Sequence, residues 1–298
     1  MTKGNQALNV NAGIGGSALE QITVRGSDWY FAVTAVMTVA TLAFAGMSVT
    51  KPRNARIFHY ITAAITLVAA IAYYSMGSGL GQVPIQTEFI RNSPKVGGFP
   101  GGTREIFYVR YIDWFVTTPL LLLDLLLTSG LPWPTILITI LLDEVMIVTG
   151  LVGALTRSSY KWGYYTFGCF AFFFVAYNVV FVARRHAYAL GAEIHRTFLI
   201  TGVWTIFLWF LYPIAWGLSE GGNVISPDGE AIFYGILDIL AKPVFGALLI
   251  WGHRNIDPAQ LGIFIRDYDE PIGQRNGIHE KHGGVTNGNN GTTTTPTV

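Results

Sequence analysis

Hydrophobic positions in this chain are gathered into long blocks. Seven runs, each near the roughly 20 apolar residues a bilayer-crossing helix needs, fall at about 28–50, 57–80, 104–128, 133–155, 162–184, 197–218 and 230–252. The breaks between them are short, except for 81–103, where VPIQTEF has the makings of a short hairpin strand between Pro and Gly. No repeat of solenoid length interrupts the pattern. The expected fold is therefore an all-α membrane protein, a seven-transmembrane helix bundle over 27–254. A polar N-terminal tail, 1–26, precedes it. The polar stretch 255–298, ending KHGGVTNGNNGTTTTPTV, is expected to be disordered.

Loop charges predict the orientation. Lys51, Arg53 and Arg56 sit in the first loop, Arg184, Arg185 and Arg196 in the fifth, and Arg254 follows the last run. The sixth loop, SEGGNVISPDGE, is acidic. Basic loops stay in the cytoplasm, so the N-terminus is expected outside and the C-terminus inside, despite Arg157 and Lys161 in an outside loop. The sequon Asn290-Gly291-Thr292 would then face the cytosol.

Composition narrows the function. Only 12% of residues are charged, about half the level of a soluble domain. A net charge of +1 leaves no basic face for nucleic acid. A single cysteine, Cys169, excludes an intrachain disulfide and any cysteine-built metal cluster, and no metal site is expected. The first residues lack a signal-peptide core.

The charges that do occur inside the runs carry the chemistry. Arg110–Asp124 reads RYIDWFVTTPLLLLD, although a charge at bilayer depth costs about 2.5–3.5 kcal/mol on insertion scales. Asp113 and Asp124 lie almost three helical turns apart on one face, about 16 Å along the axis, and Arg110 is one turn before Asp113. Two acids so placed read as stations on a proton path, or as two separate, neutral, hydrogen-bonded acids.

In the last run, Asp238 and Lys242 are spaced i, i+4. They form either a salt bridge between helices or an amine kept dry for Schiff-base chemistry with an aldehyde cofactor, with Asp238 and Asp113 as counter-ions. Lys242 is expected to be the only buried lysine. The sixth run places Trp209, Tyr212, Pro213 and Trp216 on one face, a wall suited to a flat apolar ligand, with Trp114 a candidate facing ring. Asp143 is expected to be neutral and bonded to Thr118, Glu144 has no assigned role, and Glu220 and Glu230 are either surface acids or a proton-sharing pair.

On RYIDWFVTTPLLLLD, WFLYPIAW and LDILAK, the chain resembles the microbial (type 1) rhodopsins, and bacteriorhodopsin-like light-driven proton pumps in particular. The resemblance runs over roughly 28–254 and is nearest the fungal branch. It implies all-trans retinal bound covalently to Lys242 as a protonated Schiff base. It makes Asp113 the counter-ion and proton acceptor with Thr117 as its hydrogen-bond partner, Asp238 the second counter-ion, and Asp124 the cytoplasmic donor with Thr62 beside it. Arg110, Glu220 and Glu230 match the release side. Tyr73, Trp114, Thr118, Leu121, Met146, Trp209, Tyr212 and Trp216 match the retinal pocket.

Phe107 departs from a common tyrosine, and Gly168-Cys169 replace hydroxyl residues near the retinal ring. The implied activity is an outward proton pump in the plasma membrane, not an enzyme, with protons and the lipid bilayer as partners and room for a homo-oligomer. The runner-up is a photosensory rhodopsin signalling through a partner, against which Asp124 weighs. A retinal-free relative sits badly with Lys242. A G-protein-coupled receptor lacks its DRY and NPxxY elements, a chloride pump would lack Asp113, and the apolar Leu120–Leu123 stretch disfavours a channel.

Overall fold

The computed structural model describes residues 5–89 and 102–265. Of the stretch expected to be disordered, 255–265 is ordered against the bundle, with a 3-10 turn over Pro258–Leu261 and Ile256 and Leu261 buried. The rest of it and the sequon lie outside the described residues, as does the middle of the 81–103 loop. A short helix α1 (Gln6–Val10) precedes seven long helical runs: α2 (Val24–Ser48), α3 (Ile57–Gly77), α4 (Tyr108–Thr128), α5 (Trp133–Leu155), α6 (Lys161–Leu190), α7 (Ala192–Gly221) and α8 (Pro227–Asn255). Each of the seven is long and apolar enough to cross a membrane. Sequence neighbours pack side by side, α8 closes the ring against α2, and α4 also touches α7 through the middle. The Trp29 indole donates to the Ala231 carbonyl (2.9 Å) across the α2–α8 seam.

Two boundaries differ from the sequence expectation. The third run does not begin as helix at 104. Thr103–Ile106 forms a strand, β2, antiparallel to β1 (Val83–Gln86), with Val83 opposite Ile106. Here the β-branched ends of both segments pair, and helix starts only after Phe107. The fifth loop is also absent as a loop. Arg184 and Arg185 continue α6, Arg196 lies inside α7, and Gly191 alone separates the two helices at φ 124°. Glycine tolerates that left-handed backbone because it has no Cβ to clash.

The N-terminal segment is tied to the bundle. Thr23 caps α2, and its main-chain N–H and hydroxyl both donate to Asp228 at the start of α8 (2.8 and 2.6 Å). Glu20 bridges to β2, and Ile22 is buried. At α8 itself, Ser226 accepts from the Gly229 N–H, Pro227 opens the helix and Asp228 and Glu230 occupy the first turn, the arrangement that satisfies a helix start.

Three π-helical turns interrupt the ideal geometry: Asn178–Ala183 in α6, Gly217–Gly221 in α7 and Leu240–Val244 in α8. The last contains Lys242 and Pro243. Proline has no N–H, so the usual α-helical bond is lost there and the turn widens. The Trp204 indole on α7 donates to the Leu240 carbonyl within it (2.9 Å). Sequence thus places Lys242 on a local widening of its helix.

Candidate functional site

Lys242 is buried, and its Nζ lies 2.6 Å from Asp113 Oδ2 and 3.0 Å from Asp238 Oδ2. The two carboxylates are not equivalent. Asp238 also receives the Tyr73 hydroxyl (2.7 Å) and the Tyr212 hydroxyl (2.6 Å), so both its oxygens are bonded. Asp113 Oδ1 is buried with no protein partner. Thr117 does bond to Asp113, but its hydroxyl donates to the main-chain carbonyl (2.8 Å). Asp113 is therefore the carboxylate with fewer protein donors beside the lysine.

From Lys242 a cavity runs between α4, α5, α6 and α7. Trp209, Tyr212, Pro213 and Trp216 form one wall, and Trp114, Thr118, Leu121 and Met146 line the other side. Gly150, Gly168 and Cys169 border it as well. The ring of Trp114 meets Tyr212 edge-on at 5.3 Å, and Tyr165 stacks on Trp216 at 5.1 Å. Tyr73 is the exception among the expected pocket residues. It does not line this cavity, because its hydroxyl is turned to Asp238.

Toward the N-terminal end of α4, Arg110 is fully buried and reaches both expected release acids. It pairs with Glu230 and lies 3.4 Å from Glu220, while its Nη2 donates to the Tyr30 hydroxyl (2.8 Å). Its guanidinium also sits over the Tyr234 ring at 4.3 Å. Glu220 and Glu230 are thus buried, not surface, acids. Glu220 takes the Tyr111 and Tyr234 hydroxyls (3.0 and 3.1 Å).

Arg104, which sequence reasoning missed, bonds Glu230 (2.6 Å), Asn223 (2.6 Å) and the Ile225 carbonyl (2.7 Å). Phe107, in place of the common tyrosine, packs edge-on against Tyr30. Glu105 on β2, outside the helices, accepts from the Ile22 N–H (2.9 Å). Burial pushes its carboxyl up to about 7.

Lys242 is not the only buried lysine. Lys161 is also buried, and its Nζ donates to the Glu220 carbonyl (3.2 Å). The sequence placed it in a loop, but it begins α6, where the π turn of α7 leaves the Glu220 carbonyl within reach. No local sequence signal marks Lys161 or Arg104, since cations near run ends are ordinary.

At the other end of α4, Asp124 is fully buried in the cluster that holds Phe58, Ile65, Leu121, Leu125 and Phe245. Thr62 Oγ1 is 2.6 Å from the Phe58 carbonyl and 3.1 Å from Asp124 Oδ2. A hydroxyl has one hydrogen. That hydrogen serves either acceptor: turned to Asp124 it donates to the carboxyl, and on the Phe58 carbonyl it leaves Thr62 Oγ1 to accept from a protonated Asp124. Asp143 differs: the Thr118 hydroxyl is 2.7 Å from Asp143 Oδ2, slightly nearer than the Trp114 carbonyl at 2.8 Å, and donates to the carboxyl. Glu144 is half-buried and nothing in its surroundings gives it a role.

Comparison with known proteins agrees with this architecture. The family model described as bacteriorhodopsin-like protein matches residues 26–256. The chain is 61% identical to the opsin-like protein carO of Fusarium fujikuroi, over 94% of this chain and 92% of that protein. Among solved structures it is similar to the light-driven proton pump LR (Mac) of Leptosphaeria maculans (TM-score 0.74, 38% identity, 80% of this chain and 98% of that one). It is similar also to the light-driven proton pump rhodopsin of Coccomyxa subellipsoidea (TM-score 0.73, 41% identity, 78% and 98%). With seven membrane-spanning helices and these relatives, the chain is an integral multi-pass membrane protein that belongs to the bacteriorhodopsin-like family, as a fungal type 1 rhodopsin.

Proposed function

We propose that this protein is a light-driven outward proton pump with all-trans retinal attached to Lys242. The observation that carries the reading is the asymmetric pair around Lys242: Asp113 with one oxygen unpartnered, Asp238 with both bonded. The cavity fits the cofactor. It begins at the lysine, is walled by flat rings and borders Gly150 and Gly168, which add no side chain to it. The Trp114 indole N–H is buried nearby without a protein partner. When bound as a protonated Schiff base, retinal supplies absorption of visible light and an isomerisation that turns the Lys242 nitrogen.

The chain's own residues supply the rest. Asp113 takes the proton from the Lys242 nitrogen onto the carboxylate that fewer protein donors hold. Asp238, fixed by two phenols, stays anionic and holds the site's charge. Once Asp113 is neutral, Arg110 one turn away loses its attraction to that side. It then draws closer to Glu220 and Glu230, whose shared proton leaves on the outer face. Asp124, dry and bonded to Thr62, returns a proton to the Lys242 nitrogen from the opposite side. Moving one proton outward against 100 mV costs about 2.3 kcal/mol, so the two sides must be served by different acids. Asp113 and Asp124 are separated along α4 in the way that requires.

The same reading puts the N-terminus outside and the C-terminus in the cytoplasm of the plasma membrane, since Lys51, Arg53, Arg56 and Arg254 cluster at the Asp124 end. A buried carboxyl at Asp124 favours a pump over a sensor. The attachment is tested by Lys242→Ala reconstituted with retinal, which should give no visible covalent pigment. A coloured adduct surviving hydroxylamine-free denaturation would contradict it and point to Lys161.

A further inference from the structure

Between Asp124 and the nearer end of the bundle lies a second titratable group that none of the roles above uses. His253 closes α8. Its Nδ1 is 2.8 Å from the Leu249 carbonyl, and its Nε2 is 3.1 Å from Thr128 Oγ1. Thr128 Oγ1 in turn donates to the Asp124 main-chain carbonyl (2.8 Å). A carbonyl only accepts, so Nδ1 carries hydrogen. A neutral ring with its hydrogen on Nδ1 accepts at Nε2 from the Thr128 hydroxyl, whereas a ring that has picked up a second proton donates there while Thr128 keeps its hydrogen on the Asp124 carbonyl. The single hydrogen of Thr128 thus changes partner with the charge of His253.

Position supports a relay. Asp124 is 0% exposed and His253 9%, so only the histidine touches the outside. Asp124 Oδ1 is buried without a protein partner, as is Nδ1 of His59 on α3. Phe58 lies against the His253 ring, centroids 4.1 Å apart. The titratable and charged groups around His253 are His59 from α3, Asp124 from α4 and its chain neighbour Arg254, with Lys51 facing His59 from the first loop. From α7 comes the uncharged Thr197, bonded to the Gly252 carbonyl (3.3 Å).

We propose that His253 is the group through which Asp124 regains its proton from the cytoplasm, by way of Thr128. The inference rests on reading Asp124 as the donor. In the step, the Nε2–H bond of the protonated His253 ring breaks and its proton bonds to Thr128 Oγ1, while the hydrogen Thr128 already carries swings off the Asp124 main-chain carbonyl and forms an O–H bond on the carboxylate of the same residue. His253 is left neutral, and cytoplasmic water returns the missing proton to it.

The test is flash spectroscopy on the full chain reconstituted with retinal, comparing wild type with His253→Gln. Proton arrival at Asp113 should keep its wild-type rate. Recovery of protonated Asp124, followed by its carboxyl infrared band, should slow by about 10–100-fold, and added imidazole should restore it. Wild-type recovery in His253→Gln from acid to alkaline pH would overturn the proposal. So would slowed recovery that imidazole leaves unchanged, because that marks altered packing. Should His253→Gln not fold, Thr128→Val breaks the same link, and an unchanged recovery there overturns it equally. Asp124→Asn separates the two readings: if that variant itself reprotonates Lys242 normally, the donor assignment fails first.

Discussion

Replacing Tyr212 by phenylalanine removes one oxygen and leaves the ring that walls the cavity. The lost hydroxyl donates to Asp238 Oδ1 at 2.6 Å, in a site where Asp238 is fully buried. Asp238 would keep Tyr73 and Lys242 on Oδ2, but Oδ1 would become an unpaired buried acceptor. A hydrogen bond to a charged group contributes about 1.5–3 kcal/mol, and leaving the partner unsatisfied reaches the upper part of that range. For a domain of this size, each kcal/mol moves the unfolding midpoint by about 2–4 °C, so Tyr212→Phe should lower it by about 3–12 °C. The assay is the thermal bleaching midpoint of the purified pigment. Tyr165→Phe is the control, since that hydroxyl meets only uncharged partners, the Pro213 carbonyl at 3.3 Å and the Cys169 thiol, and should move the midpoint far less. Equal midpoints for wild type and Tyr212→Phe would refute the claim that Asp238 is fixed by its phenols, and with it the argument that Asp113 alone is free to accept.

Two further variants probe either end of α4. Asp124→Asn should keep the visible colour and slow the return of the proton to Lys242, whereas unchanged recovery at neutral pH would remove Asp124 as donor. Glu105→Gln tests the buried carboxyl outside the helices. With its value raised from 4.5 to about 7, the folded state holds a proton that the unfolded state gives up between those values. Wild-type stability therefore falls as pH rises through that window, by as much as about 3 kcal/mol. The glutamine variant, which still accepts from the Ile22 N–H, should gain on wild type between pH 5 and pH 8, and parallel stability curves would contradict this.

The legible part of the site was the part that chemistry makes conspicuous. Asp113, Asp124, Asp238 and Lys242 stand out because a charge in an apolar run must be paired or hydrogen-bonded, and such pairing has few solutions. The aromatic face of Trp209, Tyr212 and Trp216 follows from helical spacing alone. Near the ends of the runs the same logic loses force. Arg104, Lys161 and His253 look like ordinary flanking residues, and only the packed bundle reveals that Arg104 and Lys161 reach the Glu230 and Glu220 network and that His253 adjoins Asp124. The chain RRHAYALGAEIHR reads as a polar loop because helices that extend past the apolar layer become polar without ceasing to be helices. For TREI, strand pairing with VPIQ depends on a partner some 20 residues earlier, which local periodicity does not encode. Pro243 was a usable signal for the π turn at Lys242, since a proline after a buried functional residue demands a local rearrangement.

The central claim is directional transport, and the external pH under illumination tests it most directly. Cells expressing the protein with added retinal should acidify their medium promptly on illumination. The change should vanish with a protonophore and in Asp113→Asn. A coloured protein that leaves the external pH unchanged, or that makes the medium more alkaline, would contradict the outward pump.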